Sequence, residues 1–527
     1  MKRRNGFQPR VLISLLSFLL QVVLVVTFFV VLVLSPFGTE FYLGGLIVLL
    51  LFDCVIGLFI ANTKVEASFK ISWLVVVICL PFVGGFLYLL FANKITTKKM
   101  RKNRFSVIND LSAKLRPDSS KELAVLSKKS ESAGNIANYL YLNANSGTYT
   151  NTEVTYYKIG DLSLEPMVQE LKKAKKFIFL EYFIMQSGEF FDSLFNVLVE
   201  KVKEGVDVRL IYDDFGCSSK MSSFFYKEVR KAGIKCYAFN MIRPFLDIRQ
   251  NNRDHRKIMV IDGVVGFTGG INIADEYINI GSKFGLWKDN CVMLKGPAVN
   301  SLTTLFLSIW NLIEKKKKNE DTIMDIENFS YTRNKEYDVR ENKKQNGFVT
   351  PFGEEPFDGE ESARNVLLQM ITKATKYVYI STPYLILDEE MITALEIAAK
   401  SGVDVRIITP GTPDKKIVYQ CTRSFYGSLL VSGVKVYEYK PGFNHEKMMV
   451  VDGVMAETGT INLDFRSLYL HYENGIFFYG GKEVKDMDDD LKEMIKDSKE
   501  IFLNDYLKVS RIKRIWWSIL RIFSTLF

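Results

Sequence analysis

NNRDHRKIMVIDG, residues 251–263, sets His255 two residues before Lys257 and places Asp262 five residues further on, across an apolar run. GFNHEKMMVVDG, residues 442–453, repeats the order with His445, Lys447 and Asp452. Each copy then reaches a pair of small residues and an asparagine: Gly269, Gly270 and Asn272 in the first, Gly459, Thr460 and Asn462 in the second. The 527-residue chain has 3 histidines, and two of them occupy matching places. A pattern of this length does not recur by chance, so the chain contains a duplicated unit.

The surrounding sequence repeats with it. KKFIFLEYFI followed by LVEKVKEGVDVRLIYDD is answered by TKYVYISTPYLI followed by LEIAAKSGVDVRIITPG, an apolar strand and then an amphipathic helix that ends at glycine before the next strand. Each half is therefore an α/β unit. The spacing predicts a first repeat over 151–313, a polar linker over 314–345 and a second repeat over 346–506, with a connector over 96–150 before them. The lysine run 315–318 reads as a solvated helix end.

In a strand, residues two apart face the same side, so each His-x-Lys presents an imidazole and an ammonium to one cavity. That pair suits a phosphate. The ammonium holds phosphoryl oxygens, while the imidazole attacks phosphorus or moves a proton near neutral pH. If each copy lends one histidine to a shared site, one attacks and the other protonates the departing alcohol. Asp262 and Asp452 precede glycines between apolar runs, which is a hairpin signature. Two roles stand for them: closing that turn, or holding the hydrogen-bond network of the site. The glycines would let backbone approach a bound oxyanion, with Asn272 and Asn462 as added donors. Zinc fits poorly, because the histidines are scattered and no Cys-x-x-Cys pair occurs among the 6 cysteines. Neither a metal nor another cofactor is expected.

The formal charge of +9 favours anionic partners, lipid headgroups or nucleic acid alike. Apolar segments decide between them. Residues 11–34, 41–61 and 71–92 each approach or exceed the length that crosses a bilayer, and define a membrane region over 1–95. A cleaved signal peptide is the rival reading of the first, but no small-residue cleavage pattern follows it. Basic residues flanking three spans tie between the two sides; the reduced-looking cysteines and the basic cluster after Ala92 place the catalytic body on the cytoplasmic side. At the C-terminus, 507–527, Ile512, Ile515, Trp516, Ile519, Phe523 and Leu526 line one side of a helix and Arg511, Arg514, Ser518, Arg521 and Thr525 the other. Such a basic amphipathic helix suits an anionic membrane interface, although the same pattern also docks helices on protein cores.

His-x-Lys-x4-Asp-x6-Gly-Gly/Thr-x-Asn in duplicate resembles the phospholipase D superfamily, and within it the bacterial cardiolipin synthases. NRDHRKIMVIDGVVGFTGGINIADEY and GLWKDNCVMLKGPAV resemble the first half of that family; PGFNHEKMMVVDG and GTINLDFRSLYLHYENGIFFY resemble the second. The resemblance implies two tandem repeats forming one pseudo-symmetric α/β body behind N-terminal membrane helices. It implies a phosphatidyltransferase without a cofactor: a phosphatidyl group passes from one phosphatidylglycerol to a histidine and then to a second phosphatidylglycerol, giving cardiolipin and glycerol. By the same carry-over His255 is the nucleophile, His445 the acid and base, Lys257 and Lys447 the phosphate ligands, and Asp289 and Glu473 the acids that orient the histidines. Strand-edge surface charge is the bland alternative for those two. His471 has no counterpart in the repeat and is expected to stand outside the chemistry. Glu446, between histidine and lysine, is expected to point away from the site. The family has two membrane segments, so residues 11–34 are a departure. Water as acceptor, another headgroup, a nuclease, or a scaffold that has kept the fold are the competing functions; oligomeric state is left open.

Overall fold

The computed structural model describes residues 39–91 and 106–526, apart from 82, 109, 112, 223–224, 243–250, 319–325 and 339–346, together with scattered positions between 16 and 30. The expected helix over 11–34 thus lies almost wholly outside the described residues.

The first half builds a sheet from Glu153–Tyr157 (β1), Phe177–Tyr182 (β2), Asp207–Asp213 (β3), Lys235–Phe239 (β4), Lys257–Ile261 (β5), Val265–Gly269 (β6) and Cys291–Lys295 (β8), in the order β1-β8-β6-β5-β2-β3-β4, with Leu286–Lys288 (β7) outside it. The second half repeats this with Phe348–Glu354 (β9), Tyr377–Ser381 (β10), Asp404–Pro410 (β11), Lys435–Tyr439 (β12), Met448–Val451 (β14), Met455–Gly459 (β15) and Glu473–Tyr479 (β16). Its order is β17-β12-β11-β10-β14-β15-β16-β9, extended by the edge strand Ser498–Ile501 (β17). The parallel steps β2 to β3 and β10 to β11 are made by the helices Glu189–Lys203 and Glu389–Lys400. Gly205 and Gly402, at φ 89° and 94°, turn the chain out of those helices, a conformation that costs glycine little.

Both His-x-Lys motifs lead into hairpins, β5–β6 and β14–β15. At the turns Asp262 and Gly263 have φ of 51° and 69°, Asp452 and Gly453 of 54° and 68°. Two consecutive positive φ angles make a type I′ turn, whose twist matches the flanking strands.

The halves share one apolar core. Phe179, Ile258, Leu294, Leu302 and Phe306 of the first are packed with Tyr379, Val450, Ile476, Phe478 and Leu491 of the second. Two short exchanges bind them further. Gly442–Asn444 (β13) pairs in parallel with β7, and Asp254 bridges in parallel to Tyr472. The connector is more than a spacer: its helices Ser120–Lys129 and Glu131–Asn143 bury Leu126, Ile136 and Leu140 in the second half's core. The expected linker carries the end of helix Val299–Lys318, including the lysine run, and short helical turns between Ile326 and Tyr337.

Among the described residues no helix is long and apolar enough to cross a membrane. Helix Thr39–Asn62 covers the expected segment 41–61 and buries Asp53 beside Gly85. The expected helix over 71–92 is two pieces, Ala67–Cys79 and Gly84–Phe91. Pro81, which cannot continue a helix interior, lies in the break; a β-carbon at Gly84 would collide with Val77, so the pieces fold back in contact. At roughly 1.5 Å per residue neither piece spans a hydrocarbon core. The C-terminal helix Arg511–Ile522 buries Trp517 and Leu520 against the second half and leaves Ile512, Ile515, Trp516 and Ile519 exposed, so one flank is docked on protein and the other is open. Ser72 ties this tail to the N-terminal helices, donating to the Ile522 carbonyl at 2.6 Å.

Candidate active site

His255 stands one residue, Arg256, ahead of β5, and His445 lies between β13 and β14. Each is seated by the other half: His255 N–H donates to the Tyr472 carbonyl at 2.9 Å, and His445 N–H to the Lys288 carbonyl at 2.8 Å. The residue after each of those carbonyls is an acid, and it meets the histidine just seated. Both carboxylate oxygens of Glu473 lie 2.9 Å from His255 Nδ1. Asp289 Oδ2 lies 2.6 Å from His445 Nδ1. Each histidine is thus oriented by the acid of the opposite repeat, and its Nε2 is left for chemistry. Both acids are fully buried, which rules out strand-edge surface charge.

Lys257 and Lys447 are about 1% exposed. Lys257 Nζ donates to the His255 carbonyl at 2.5 Å. Lys447 Nζ donates to the His445 carbonyl and stands 2.9 Å from its Nδ1 and 3.2 Å from its Nε2. Burial draws Lys257 down to about 7 and Lys447 to about 8, although Glu473 and Asp289 pull upward. Burial also lowers His255 to about 3, against the raising influence of Glu473, and takes His445 well below its usual range with help from Lys447. At neutral pH both imidazoles are neutral, Lys257 is poised between its charged and uncharged forms, and Lys447 is the more charged of the two. The acids differ. Burial raises Asp289 to about 6, whereas for Glu473 burial is outweighed by His255, His471 and Lys257, which hold its carboxyl far below the ordinary range.

Other expected residues take different parts. Asp262 accepts the N–H groups of Lys175, Lys176 and Phe177, and Asp452 those of Thr375, Lys376 and Tyr377, at 2.7–2.9 Å. They close the turns at the far ends of the strands that start beside the histidines, about 3.3 Å per residue away, and their carboxylates bond the backbone that enters the neighbouring strand. The glycines allow close packing inside the protein. A β-carbon at Gly270 would collide with the Asp289 carboxylate, and Gly269 and Gly459 give the same closeness to the Asn290 and Asn474 carbonyls. Asn272 is occupied within the protein, accepting from Ile184 N–H at 3.0 Å and donating to the Tyr277 hydroxyl at 2.8 Å. Asn462 is buried, and its Oδ1 has no hydrogen-bond partner among the described residues. Thr460 donates to Glu473 at 2.5 Å, joined by Ser467 at 2.7 Å, a contact the sequence reading missed.

Glu446 points away as strand alternation requires, onto Lys288 at 2.9 Å and Asn290 at 3.2 Å. Its counterpart Arg256 is fully buried and reaches Glu355 at 3.3 Å. His471 lies nearer the site than its lack of a counterpart in the repeat suggested. Its ring centroid lies 5.8 Å from that of His255, and its Nδ1 3.7 Å from Glu473 Oε1. It sits two residues before Glu473, so strand alternation from the acid places it on the same face; that signal was in the sequence. His255, His471 and Glu473 also bring three ligand atoms within 4.8 Å of one another, but Glu473 already holds His255 and the lysines add positive charge, so the cluster reads as proton and phosphate chemistry.

The arrangement is that of a duplicated phosphoryl-transfer site, and the chain's relatives agree. The family described as "Cardiolipin synthase, PLD-like domain" matches residues 167–310 and 367–495, and one described as "Phospholipase D-nuclease N-terminal" matches 45–93. A cardiolipin synthase of Geobacillus sp. (strain WCH70) is 35% identical over 92% of this chain and 94% of its own length. Cardiolipin synthase 2 of Bacillus anthracis is 34% identical over 90% of this chain and 89% of its own. An uncharacterized protein of Streptococcus mutans is 40% identical over 84% and 93%. In fold the chain is similar to the phosphatidylserine synthase of Haemophilus influenzae Rd KW20, with a TM-score of 0.54 at 13% identity over 74% of this chain and all of that one. With both His-x-Lys copies inside the matched residues and relatives aligned along most of its length, the chain belongs to the cardiolipin synthase family of the phospholipase D superfamily.

Proposed function

We propose that this chain condenses two phosphatidylglycerol molecules into cardiolipin and glycerol through a phosphohistidine intermediate. Family membership makes it a phosphatidyltransferase that forms cardiolipin. The observation that supports the route is the pair of neutral imidazoles, each held at Nδ1 by a carboxylate of the opposite half, with an ammonium beside each. In the order carried over from the family, His445 takes up a proton at Nε2 as the anionic phosphodiester binds, His255 Nε2 attacks phosphorus, and the bond from phosphorus to the glycerol oxygen breaks as His445 gives that proton to the departing oxygen. A hydroxyl of the second phosphatidylglycerol then loses its proton to His445 and attacks phosphorus, releasing His255. Lys257 and Lys447 hold the phosphoryl oxygens, and charge building there in a dry site is stabilised more than in water.

Membrane attachment belongs to the same proposal. Helix Thr39–Asn62 turns Ile47, Val48, Leu51, Val55, Leu58 and Phe59 outward, and the adjoining helix exposes Ile71 and Ile78. The exposed isoleucines and Trp516 of the tail lie on an element tied to that helix through Ser72. An anionic bilayer, entered by the N-terminal helices and met at its interface by the basic tail, covers these residues.

Purified protein in phosphatidylglycerol vesicles, with no divalent metal added, yields cardiolipin and glycerol in equal amounts. Phosphatidic acid in their place assigns the acceptor to water. Product unchanged by both His255→Ala and His445→Ala would defeat the proposal.

A further inference from the structure

A site made from two copies of one motif has an orientation problem. A phosphodiester fits a two-fold arrangement of His, Lys and acid equally well in either direction, and each direction assigns the histidines opposite roles. Something must break the symmetry.

Backbone pairing identifies the matching positions. His255 is seated by the Tyr472 carbonyl and His445 by the Lys288 carbonyl, so the residues just before these, His471 and Trp287, correspond. Each packs on its catalytic imidazole: centroids are 5.8 Å apart for His471 and His255, and 5.5 Å for Trp287 and His445. The chemistry differs. Trp287 stands among Tyr277 and Phe443, both also against His445. Its indole can only donate, through one N–H, whereas neutral imidazole donates at one nitrogen and accepts at the other. The His471 side chain is 10% exposed, and neither ring nitrogen has a hydrogen-bond partner among the described residues. Glu473, the nearest acid, stands 3.7 Å from His471 Nδ1, an electrostatic contact longer than a hydrogen bond, and its oxygens are taken by His255, Thr460 and Ser467. Buried polar atoms rarely go unpaired, and this one stands beside His255, where a phosphodiester must come.

We infer that His471 is a substrate-contacting residue that hydrogen-bonds the lipid's phosphodiester on the His255 side and thereby selects one of the two orientations the duplicated site allows. The inference rests on the proposed function for its ligand class. It places a third imidazole in the active site, reading the lipid while His255 and His445 act on it.

The test uses the full chain in detergent, with dihexanoyl phosphatidylglycerol as probe, and His471→Phe and His471→Asn as variants. His471→Phe is expected to weaken calorimetric affinity about tenfold or more, as loss of a hydrogen bond to a charged group does; His471→Asn, which keeps a donor and an acceptor, is expected to lose less than about threefold. In single turnover with alkaline quench and mass mapping, the parent carries the phosphatidyl group on one histidine and His471→Phe distributes it over both. A His471→Phe protein with parental melting temperature, affinity and labelling overturns the inference. Because affinity is read without turnover, a parent that binds the probe and makes no cardiolipin defeats the proposed function alone.

Discussion

The two halves of the active site have the same backbone and different electrostatics. Glu473 sits among donors, with His255, Thr460 and Ser467 all on its oxygens, and remains ionised. Asp289 faces Gly270 where its counterpart faces Thr460, receives His445 Nδ1 and the Asn290 N–H, and is raised to about 6. The difference extends outward: His471 against Trp287 beside the histidines, and Arg256 against Glu446 beneath them, a buried guanidinium in one half and a buried carboxyl in the other. Duplication supplies two equivalent imidazoles, but transfer needs a nucleophile and an acid. Unequal surroundings make the copies separable without moving either histidine.

The largest effect tests whether both copies work. His255→Ala and His445→Ala are each expected to lower cardiolipin formation by about a thousandfold or more, and only the variant lacking the nucleophile also loses the covalent adduct in an alkaline-quenched single turnover. Equal loss of adduct in both would make the halves equivalent.

Next comes an exchange of the residues facing the acids. Gly270→Thr drives a side chain into the Asp289 carboxylate, with overpacking expected to cost about 1–3 kcal/mol in urea unfolding and activity to drop by about a hundredfold. Thr460→Gly removes a donor from Glu473 and should cost only about 1–2 kcal/mol, with activity down by about tenfold. A Thr460→Gly protein more damaged than Gly270→Thr would invert the comparison.

The pH profile separates the halves without mutation. As pH falls through about 6, Asp289 takes a proton and stops accepting from His445, while Glu473 stays ionised; kcat/KM should fall on this acid limb. As pH rises through about 7 to 8, Lys257 and then Lys447 lose charge in the free enzyme, and kcat/KM falls again. Glu473→Asp should leave the acid limb in place and Asp289→Glu should move it. Lys257→Arg, charged throughout, should move the start of the alkaline limb from about 7 to about 8, where Lys447 still titrates.

The smallest effect is at the turns. Asp452→Asn should lower stability by about 1–2 kcal/mol through loss of charge-assisted bonds to backbone N–H groups, seen as a lower melting temperature, with KM unchanged. A rise in KM would return Asp452 to the site.

The duplicated motif and its α/β setting were legible because strand alternation and the glycine after a helix are local properties, fixed within a few residues of chain. His255, Lys257, His445 and Lys447 could be read together for the same reason, and so could the I′ turns at Asp262 and Asp452. The segment 41–61 was legible as one helix, but the break within 71–92 was not: the hairpin at Pro81 depends on Gly84 allowing two backbones to touch. Which acid serves which histidine is not a local property. His255 and Glu473 are 218 positions apart and His445 and Asp289 are 156 apart, and they meet because each motif is seated on a carbonyl of the other repeat. His471 stayed hidden for a related reason, since its matching residue is a tryptophan and no repeat in letters exposes it. Sequence by itself determined the reacting groups and their local face; tertiary structure alone decided their pairing, their charge states and the inequality of the two halves, because these follow from burial and from neighbours distant along the chain.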